Sequence, residues 1–112
     1  DDLVDREAVV KYIQERQNAD GGYTFCQGAE SNAQDTYYAI ETLRILGVQP
    51  RNVSLTIKFL QSLQHPDGGF DSVKVAHYVV GALSHLGAKP TRPLDKFVES
   101  LRPLIENLLL IT

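Results

Sequence analysis

The chain contains one short motif twice, and this repetition limits the available folds more than any other feature of the sequence. Residues 17–22 read Gln-Asn-Ala-Asp-Gly-Gly and residues 64–69 read Gln-His-Pro-Asp-Gly-Gly, and an aromatic residue, Tyr23 or Phe70, follows each copy. Self-similarity at this spacing is typical of repeat proteins, in which each unit stacks on the next. We therefore expect a stack of similar units.

The flanking segments repeat as well and define the units. Lys11–Gln17 corresponds to Lys58–Gln64, and Tyr38–Gly47 corresponds to Tyr78–Gly87, with a loop that is seven residues longer in the first copy. A third copy begins at Lys96–Leu101, but no Asp-Gly-Gly follows it. We expect a single domain over residues 1–112, with unit 1 at about 5–50, unit 2 at about 51–90 and an incomplete unit 3 at about 91–112.

Hydrophobic periodicity predicts an all-α fold of stacked antiparallel helical hairpins, with no strand. Gly47 and Gly87 supply the expected helix stops, since each is followed three residues later by proline. Five helices are predicted: about Asp5 to Arg16 with Asp5 as cap, about Asp35 to Leu46, one starting after Asn52, about Val73 to Leu86, and one capped by Thr91.

The predicted helices differ in how apolar they are. The second and fourth are apolar almost all round, which indicates buried inner helices, whereas the first, third and fifth are apolar on one side only. The last nine residues include six large aliphatic side chains, which are too apolar to remain in water. We expect this tail to dock on this domain, on another copy or on sequence outside this chain, and we favour the last two.

The repeated turn residues have a structural interpretation that needs no ligand. Asp20 and Asp67 are expected to accept hydrogen bonds from turn amides, and the glycines to permit positive φ. Gln17 and Gln64, at the ends of outer helices, are expected to bind carbonyl groups or the ends of neighbouring helices. Tyr23 is expected to pack beneath its turn, as is the aromatic residue of the second copy.

Composition excludes several classes of protein. The net charge of −3 and the absence of any run of Lys or Arg argue against a nucleic-acid partner. The longest apolar stretch, Leu108–Ile111, is too short to span a bilayer. A single cysteine cannot form an internal disulfide, which is compatible with a cytoplasmic location. With neither a signal peptide nor an initiator methionine, we expect an excised or processed piece.

The repeated residues resemble the prenyltransferase and squalene-cyclase repeat of the α/α-toroid superfamily. The resemblance lies in Gln-x-x-Asp-Gly-Gly-aromatic followed by Thr-Tyr-Tyr-Ala-x-x-x-Leu-x-x-Leu-Gly, as in Thr36–Gly47, and it covers roughly residues 8–102. In that family, helical hairpins close into a barrel around a central cavity. The resemblance therefore implies a partial α/α toroid, about half of a ring, with two uncovered ends.

The resemblance also implies chemistries whose residues can be sought in this chain. Cyclases of this fold use an Asp-x-Asp-Asp acid, which this sequence lacks, and thioester domains need Gln three positions after Cys, where Ala29 follows Cys26. The pattern is most similar to protein prenyltransferase β subunits, which hold zinc through Asp, Cys and His and bind diphosphate through a His before the two glycines. In this chain, Asp35 stands at the position of the zinc-binding Asp, and Val75 stands at the position of the zinc-binding His. Asp20 stands at the position of the diphosphate-binding His. We expect no catalytic residue, no metal site and no cofactor.

Seven residues are candidates for ligand binding. Gly21–Cys26 resembles a prenyltransferase segment whose Tyr and Cys line the isoprenoid pocket, which implies contacts from Tyr23 and Cys26. Inner-helix N-termini meet at the cavity mouth in a toroid, which adds Asp35, although a cap or helix-dipole role for Asp35 and Asp71 is the simpler interpretation. The side chains expected to line the cavity are Tyr37, Tyr38, His77 and Tyr78. Each of the seven also has a structural reading: Cys26 as a small buried hydrophobe, and the aromatic residues as core.

Two functions remain open at this stage. One is a prenyltransferase-like or cyclase-like repeat domain that binds an isoprenoid or other apolar small molecule. The other is a non-catalytic helical-repeat module that binds protein. In either case we expect a homo-oligomer, or the remainder of a longer chain, to complete the ring.

Overall fold

The computed structural model describes residues 2–111, with side chains for residues 5–109. The chain forms six helices: α1 (Asp2–Gln14), α2 (Ala33–Ile45), α3 (Val53–Ser62), α4 (Val73–His85), α5 (Asp95–Ser100) and α6 (Arg102–Ile111). Residues 2–111 form no strand; two isolated bridges join Tyr23 to Gln17 and Asn32. The expected all-α fold is confirmed. No helix in this range is long and apolar enough to cross a membrane.

Local polar residues begin the two inner helices, but not all of them are the residues expected. The Asn32 side chain caps α2 by accepting a hydrogen bond from Asp35 N at 2.8 Å, and Ser72 caps α4 by accepting from Val75 N at 3.1 Å. Of the two roles expected for Asp35, the cap is taken by Asn32, and Asp35 lies in the first turn, where its carboxylate can complement the helix dipole. Both helices stop as predicted, at glycines with φ of +73°.

The predicted helix boundaries are wrong at the two ends of the chain. The first helix begins and ends earlier than expected, at Asp2 and Gln14. The fifth helix does not begin at Thr91, because the Arg92 N–H is bonded to the Gln64 side chain and the chain turns helical only at Asp95. The apolar tail, for which no helix was predicted, forms α6, and its Pro103 lies in the first turn, where no backbone donor is needed.

Helices α2 and α4 lie side by side and in parallel, and they share the largest interface in the described chain. Helix α1 packs on α2. The two helices are antiparallel, because the side chain of Arg6, near the start of α1, donates to the Leu46 carbonyl at the C-terminal end of α2. Helix α3 packs on α4. Two apolar clusters result, one around Tyr23, Ile40 and Leu43, and one around Leu60, Val79 and Leu83. This arrangement is a partial α/α toroid with an inner and an outer layer.

The first motif joins unit 1 to the start of α3. Gln17 Nε2 donates to the Arg51 carbonyl at 2.9 Å and to the Gly21 carbonyl and Thr56 Oγ1, both at 3.1 Å. The buried Thr56 hydroxyl in turn donates to the Gly21 carbonyl at 2.8 Å. The Gly22 N–H donates to the carboxylate of the turn aspartate at 2.8 Å. The turn thus rests directly on the backbone of the next unit.

The second motif makes the same kind of junction with the segment before α5. Gln64 Nε2 donates to the Gly68 carbonyl at 2.9 Å and to the Arg92 carbonyl at 3.1 Å, while Gln64 Oε1 accepts from Arg92 N at 2.9 Å. The Gly69 N–H donates to Asp67 Oδ1 at 2.8 Å. The roles expected for the repeated glutamines and aspartates are confirmed.

Two expectations about burial need correction. Helices α2 and α4 are not buried all round within the described chain, because Tyr38 and Ile45 on α2 and Val73 on α4 are exposed. Cys26 is exposed rather than a small buried hydrophobe, because the longer loop of unit 1 carries it away from the core. Leu104, Ile105 and Leu108 of α6 are exposed as well, so this described part of the tail does not dock on the rest of the domain.

Candidate ligand-binding surface

Four of the seven candidate residues form one continuous group on the inner helices. Tyr37 and Tyr38 lie in the first half of α2, and His77 and Tyr78 lie at the equivalent positions of α4. The centroid of the Tyr37 ring is 5.6 Å from that of His77 and 5.4 Å from that of Tyr78, and the Tyr38 and Tyr78 centroids are 5.7 Å apart. These spacings are those of favourable aromatic pairs. We call these four residues the aromatic surface.

The aromatic surface combines a buried part with an exposed part. Tyr78 is buried, whereas Tyr38 exposes 44% of its surface. Their hydroxyl oxygens are 3.5 Å apart, so that either can donate to the other. The hydrogen bond with Tyr38 is the main cause that raises the pKa of Tyr78 above its usual value, and desolvation adds to it. The raised pKa keeps the Tyr78 hydroxyl neutral at physiological pH.

A glycine on α4 determines where the Tyr37 ring lies. A Cβ atom placed on Gly81 would come within 2.8 Å of Tyr37 Cε1 and 3.3 Å of Tyr37 Cδ1. The ring can pack this closely against α4 only because this position has no side chain. The Lys74 ammonium lies 6.0 Å from the centroid of Tyr78 and adds a cation at the edge of the surface. Sequence reasoning identified neither residue, although a glycine within an apolar helix is a signal of close packing.

A charged cluster lies one to two turns further along the same two helices. Glu41 on α2 pairs with Arg44 at 2.6 Å and, across the interface, with His85 on α4. The hydrogen bond from Arg44 is the main cause that holds the pKa of Glu41 below its usual value. The Tyr37 ring centroid is 6.1 Å from that of His85, so the cluster continues the aromatic surface. The sequence analysis missed it, because only the stacking of α2 on α4 brings Glu41 to His85.

The tyrosine after the first turn lies in the core rather than on this surface. Tyr23 is fully buried among Ile13, Ile40 and Leu43, and its N–H donates to Thr36 Oγ1 at 2.9 Å. Its hydroxyl oxygen has no hydrogen-bond partner among the described residues. Burial raises the pKa of Tyr23 to about 12. The structure thus separates Tyr23 from the other candidate tyrosines.

The last two candidates lie in the loop that leads into α2. Asp35 Oδ2 accepts hydrogen bonds from Phe25 N at 2.9 Å and from Asn32 Nδ2 at 3.0 Å, so this carboxylate fixes the loop to the helix. Cys26 follows Phe25 and is exposed. These two residues lie near the N-terminal end of α2, beside the aromatic surface rather than within it.

A cavity of about 290 Å³ opens at the other end of the inner helices. It lies between the C-terminal ends of α2 and α4 and the start of α3, with Ile40, Arg44, Val53, His85 and Leu86 among its lining residues. None of the seven candidate residues lines this cavity. Among the described residues, no three His, Cys, Asp or Glu side chains lie close enough together to hold a metal ion.

Comparison with known proteins places these features in context. Residues 1–95 match the family described as the prenyltransferase alpha-alpha toroid domain. A drimenyl diphosphate synthase of Streptantibioticus cattleyicolor is 35% identical over 66 residues, which are 56% of this chain and 12% of that protein. The chain thus spans about an eighth of the length of this relative. No solved structure matches the chain significantly.

Proposed function

The chain belongs to the prenyltransferase α-α toroid family, and we propose that it is a ring segment of a terpene-cyclase-like or prenyltransferase-like protein that binds an isoprenoid chain on the aromatic surface. The observation that carries the proposal is the continuous group of Tyr37, Tyr38, His77 and Tyr78 on two adjacent inner helices.

The aromatic surface suits an apolar chain for physical reasons. Rings supply large, rigid contact areas, and covering them removes apolar surface from water. The exposed Tyr38 is the contact that a ligand reaches first. The similarity to a protein named as a diphosphate synthase supports a terpenoid diphosphate as the class of ligand. We place Cys26 and Asp35 at the edge of the same site and Tyr23 in the core behind it.

We assign no catalytic step to this chain, because its sequence contains no Asp-x-Asp-Asp acid motif. Its contribution to a parent protein would be to bind and orient. We further propose that residues 5–50, 51–90 and 91–112 are the three units, that a second copy or further polypeptide covers the ends of the ring, and that the protein is cytoplasmic.

Thermal unfolding in the presence of farnesyl or geranylgeranyl diphosphate tests the proposal. A ligand that binds only the folded state at ten times its Kd stabilises by about 1.4 kcal/mol, which for a chain of this size raises Tm by roughly 5 °C. Tyr38→Ala should abolish the shift. Tyr12→Ala is the matched control, since Tyr12 is a half-exposed tyrosine on α1. Absence of a shift at high ligand concentration, or equal effects of the two variants, would contradict the proposal.

The second candidate is a non-catalytic helical-repeat module that binds protein. The exposed apolar side chains on α5 and α6, which include Val98, Leu104 and Leu108, favour it. The two candidates differ in their response to ligand. A protein-binding module keeps the same Tm with either diphosphate, and its function is unaffected by Tyr38→Ala.

A further inference from the structure

The cavity at the C-terminal ends of the inner helices combines apolar walls with cationic groups. Its volume is about 290 Å³, and Val48, Val53 and Leu86 are among its apolar lining residues. Two other lining residues, Arg44 and His85, are basic. Among the described residues that line the cavity, none is acidic. The lining is thus complementary to a molecule with an apolar body and a negative charge.

The helix ends beside the cavity need no donor from a ligand. The Leu43 carbonyl of α2 accepts a hydrogen bond from Val48 N at 2.9 Å, and the Leu83 carbonyl of α4 accepts one from Ala88 N at 2.8 Å. Bonds of this kind satisfy carbonyl groups that the last turn of a helix otherwise leaves free. The side chains of Arg44 and His85 therefore determine which charge the cavity favours.

These two basic residues are not part of the repeat. Equivalent positions of α2 and α4 are forty residues apart, so Arg44 corresponds to Ser84 and His85 corresponds to Ile45. The apolar lining residue Leu86, by contrast, has another leucine at the equivalent position of unit 1. The basic pair is therefore specific to this cavity rather than a requirement of the repeated fold.

We propose that this cavity binds a small monocarboxylic acid with a short aliphatic chain. Its carboxylate would accept hydrogen bonds from Arg44 and His85, and its chain would cover the apolar walls. Glu41 accepts from Nε and Nη2 of Arg44 at 3.4 and 2.6 Å, which leaves Nη1 without an acceptor among the described residues. A guanidinium group has five N–H donors in a planar fork that matches a carboxylate, so Arg44 can bind a second one.

The balance of charge limits the head group to a single negative charge. Glu41 pairs with both Arg44 and His85, so the three side chains together carry at most one net positive charge, when the imidazole is protonated. A head group with two or three negative charges, such as a diphosphate, would remain uncompensated here. This separates the ligand of the cavity from the diphosphates proposed for the aromatic surface.

The volume limits the length of the chain. A water molecule occupies about 30 Å³ in the liquid, so the cavity has room for about ten groups of that size. Hexanoate, with about eight non-hydrogen atoms, fits within this limit. The inference does not rest on isoprenoid binding, because none of the four residues of the aromatic surface lines the cavity.

Titration of the isotope-labelled chain with sodium hexanoate at neutral pH, followed by amide NMR spectra, tests the proposal. A ligand of this size should bind with a Kd on the order of 1 mM. The amide signals of Gly47, Val48 and Leu86 should shift and reach saturation. Hexan-1-ol has the same chain without the charge, and it should bind at least about tenfold more weakly.

Two pairs of variants test the residues of the site in the same titration. Arg44→Met keeps the aliphatic part of the side chain and should weaken hexanoate binding about tenfold. Arg102→Met is its matched control, because Arg102 also pairs with a glutamate three residues earlier but does not line the cavity. Val53→Phe should fill the cavity and abolish binding. Val73→Phe is its control, because Val73 is likewise the first residue of a helix.

Three results would overturn the proposal. The first is a set of shifts that do not saturate or that are equal for hexanoate and hexan-1-ol, since the acid would then only adsorb to apolar surface. The second is an equal effect of a variant and its control. The third is a saturable shift confined to the amides of Tyr37 and Tyr78, which would assign the acid to the aromatic surface.

Discussion

At the scale of single residues, the aromatic position after each turn has two versions in the same molecule. Tyr23 and Phe70 are both buried, but only Tyr23 carries a hydroxyl group, and that hydroxyl has no hydrogen-bond partner among the described residues. Leaving a buried polar group unpaired costs on the order of 1–3 kcal/mol. The second unit shows that the fold accepts phenylalanine here.

Replacing Tyr23 by phenylalanine should therefore stabilise the protein. We expect the free energy of unfolding to rise by about 1 kcal/mol, as measured by urea unfolding at neutral pH. The reciprocal change Phe70→Tyr is the control and should destabilise, since it adds a hydroxyl to a side chain that is buried against Phe97. A loss of stability in Tyr23→Phe would mean that the hydroxyl group has a partner.

The roles of individual residues followed from the sequence where the partner is close along the chain. The aspartates of the two turns bond to amides two residues away, which the turn motif alone predicts. The exposure of Cys26 was not predictable in this way, because the path of the long loop depends on distant contacts such as that between Asn18 and Ser31.

At the scale of helices, the close approach of α2 and α4 depends on the pairing of Tyr37 with Gly81. The aromatic ring occupies the space that any side chain at position 81 would need. Glycine inside a helix lowers helix stability by about 1 kcal/mol relative to alanine. At position 81 the helix is therefore less stable than it could be, and the close contact with α2 is possible.

The effect of Gly81→Ala should depend on Tyr37. In the parent chain the new methyl group meets the ring, and we expect a loss of about 1–3 kcal/mol. In a Tyr37→Ala background the same change should stabilise by up to about 1 kcal/mol, because only helix propensity remains. Unfolding experiments on the four chains measure the coupling. Equal effects of Gly81→Ala in both backgrounds would contradict this packing.

The helices that sequence predicted best are those with local stop signals at both ends. The limits of α2 and α4 and the start of α3 lie within one or two residues of expectation, since glycine, proline and polar caps act through neighbouring residues. The start of α5 was wrong because a bond from Gln64, in the preceding unit, holds Arg92 outside the helix. The four aromatic residues were grouped correctly, but Glu41 and His85 were not, since no local pattern pairs them.

At the scale of the whole molecule, the chain is an extended stack rather than a compact body. Its radius of gyration is 16.0 Å, against about 13 Å for a compact domain of this length. The units therefore contact mainly their neighbours, and stability depends on the junctions between them. At the first junction, a Cβ on Gly21 would lie 2.3 Å from the backbone carbon of Leu55.

Three glycine-to-alanine substitutions should lower the free energy of unfolding by different amounts, according to how strongly each disturbs a junction between units. Gly28, Gly68 and Gly21 all have positive φ, so alanine strains the backbone at each by about 1–2 kcal/mol. Gly28→Ala meets no other atom within 4 Å and serves as the control. Gly68→Ala approaches the Pro93 carbonyl at 2.7 Å and should cost more, and Gly21→Ala should cost the most. Unfolding free energies that are equal across the three would contradict the importance of the junctions.

The junctions have an evolutionary consequence. In both junctions, the glutamine of one unit forms hydrogen bonds with main-chain groups of the next unit. Gln17 bonds the Arg51 carbonyl, and Gln64 bonds the carbonyl and the N–H of Arg92. Main-chain groups are common to all residues, so mutations in the receiving segment leave these backbone bonds intact, although Gln17 also bonds the Thr56 hydroxyl at the first junction. A duplicated unit therefore already carries the glutamine that joins it to its neighbour. The residues on the inner helices can then change, and so bind new ligands, without loss of the junction.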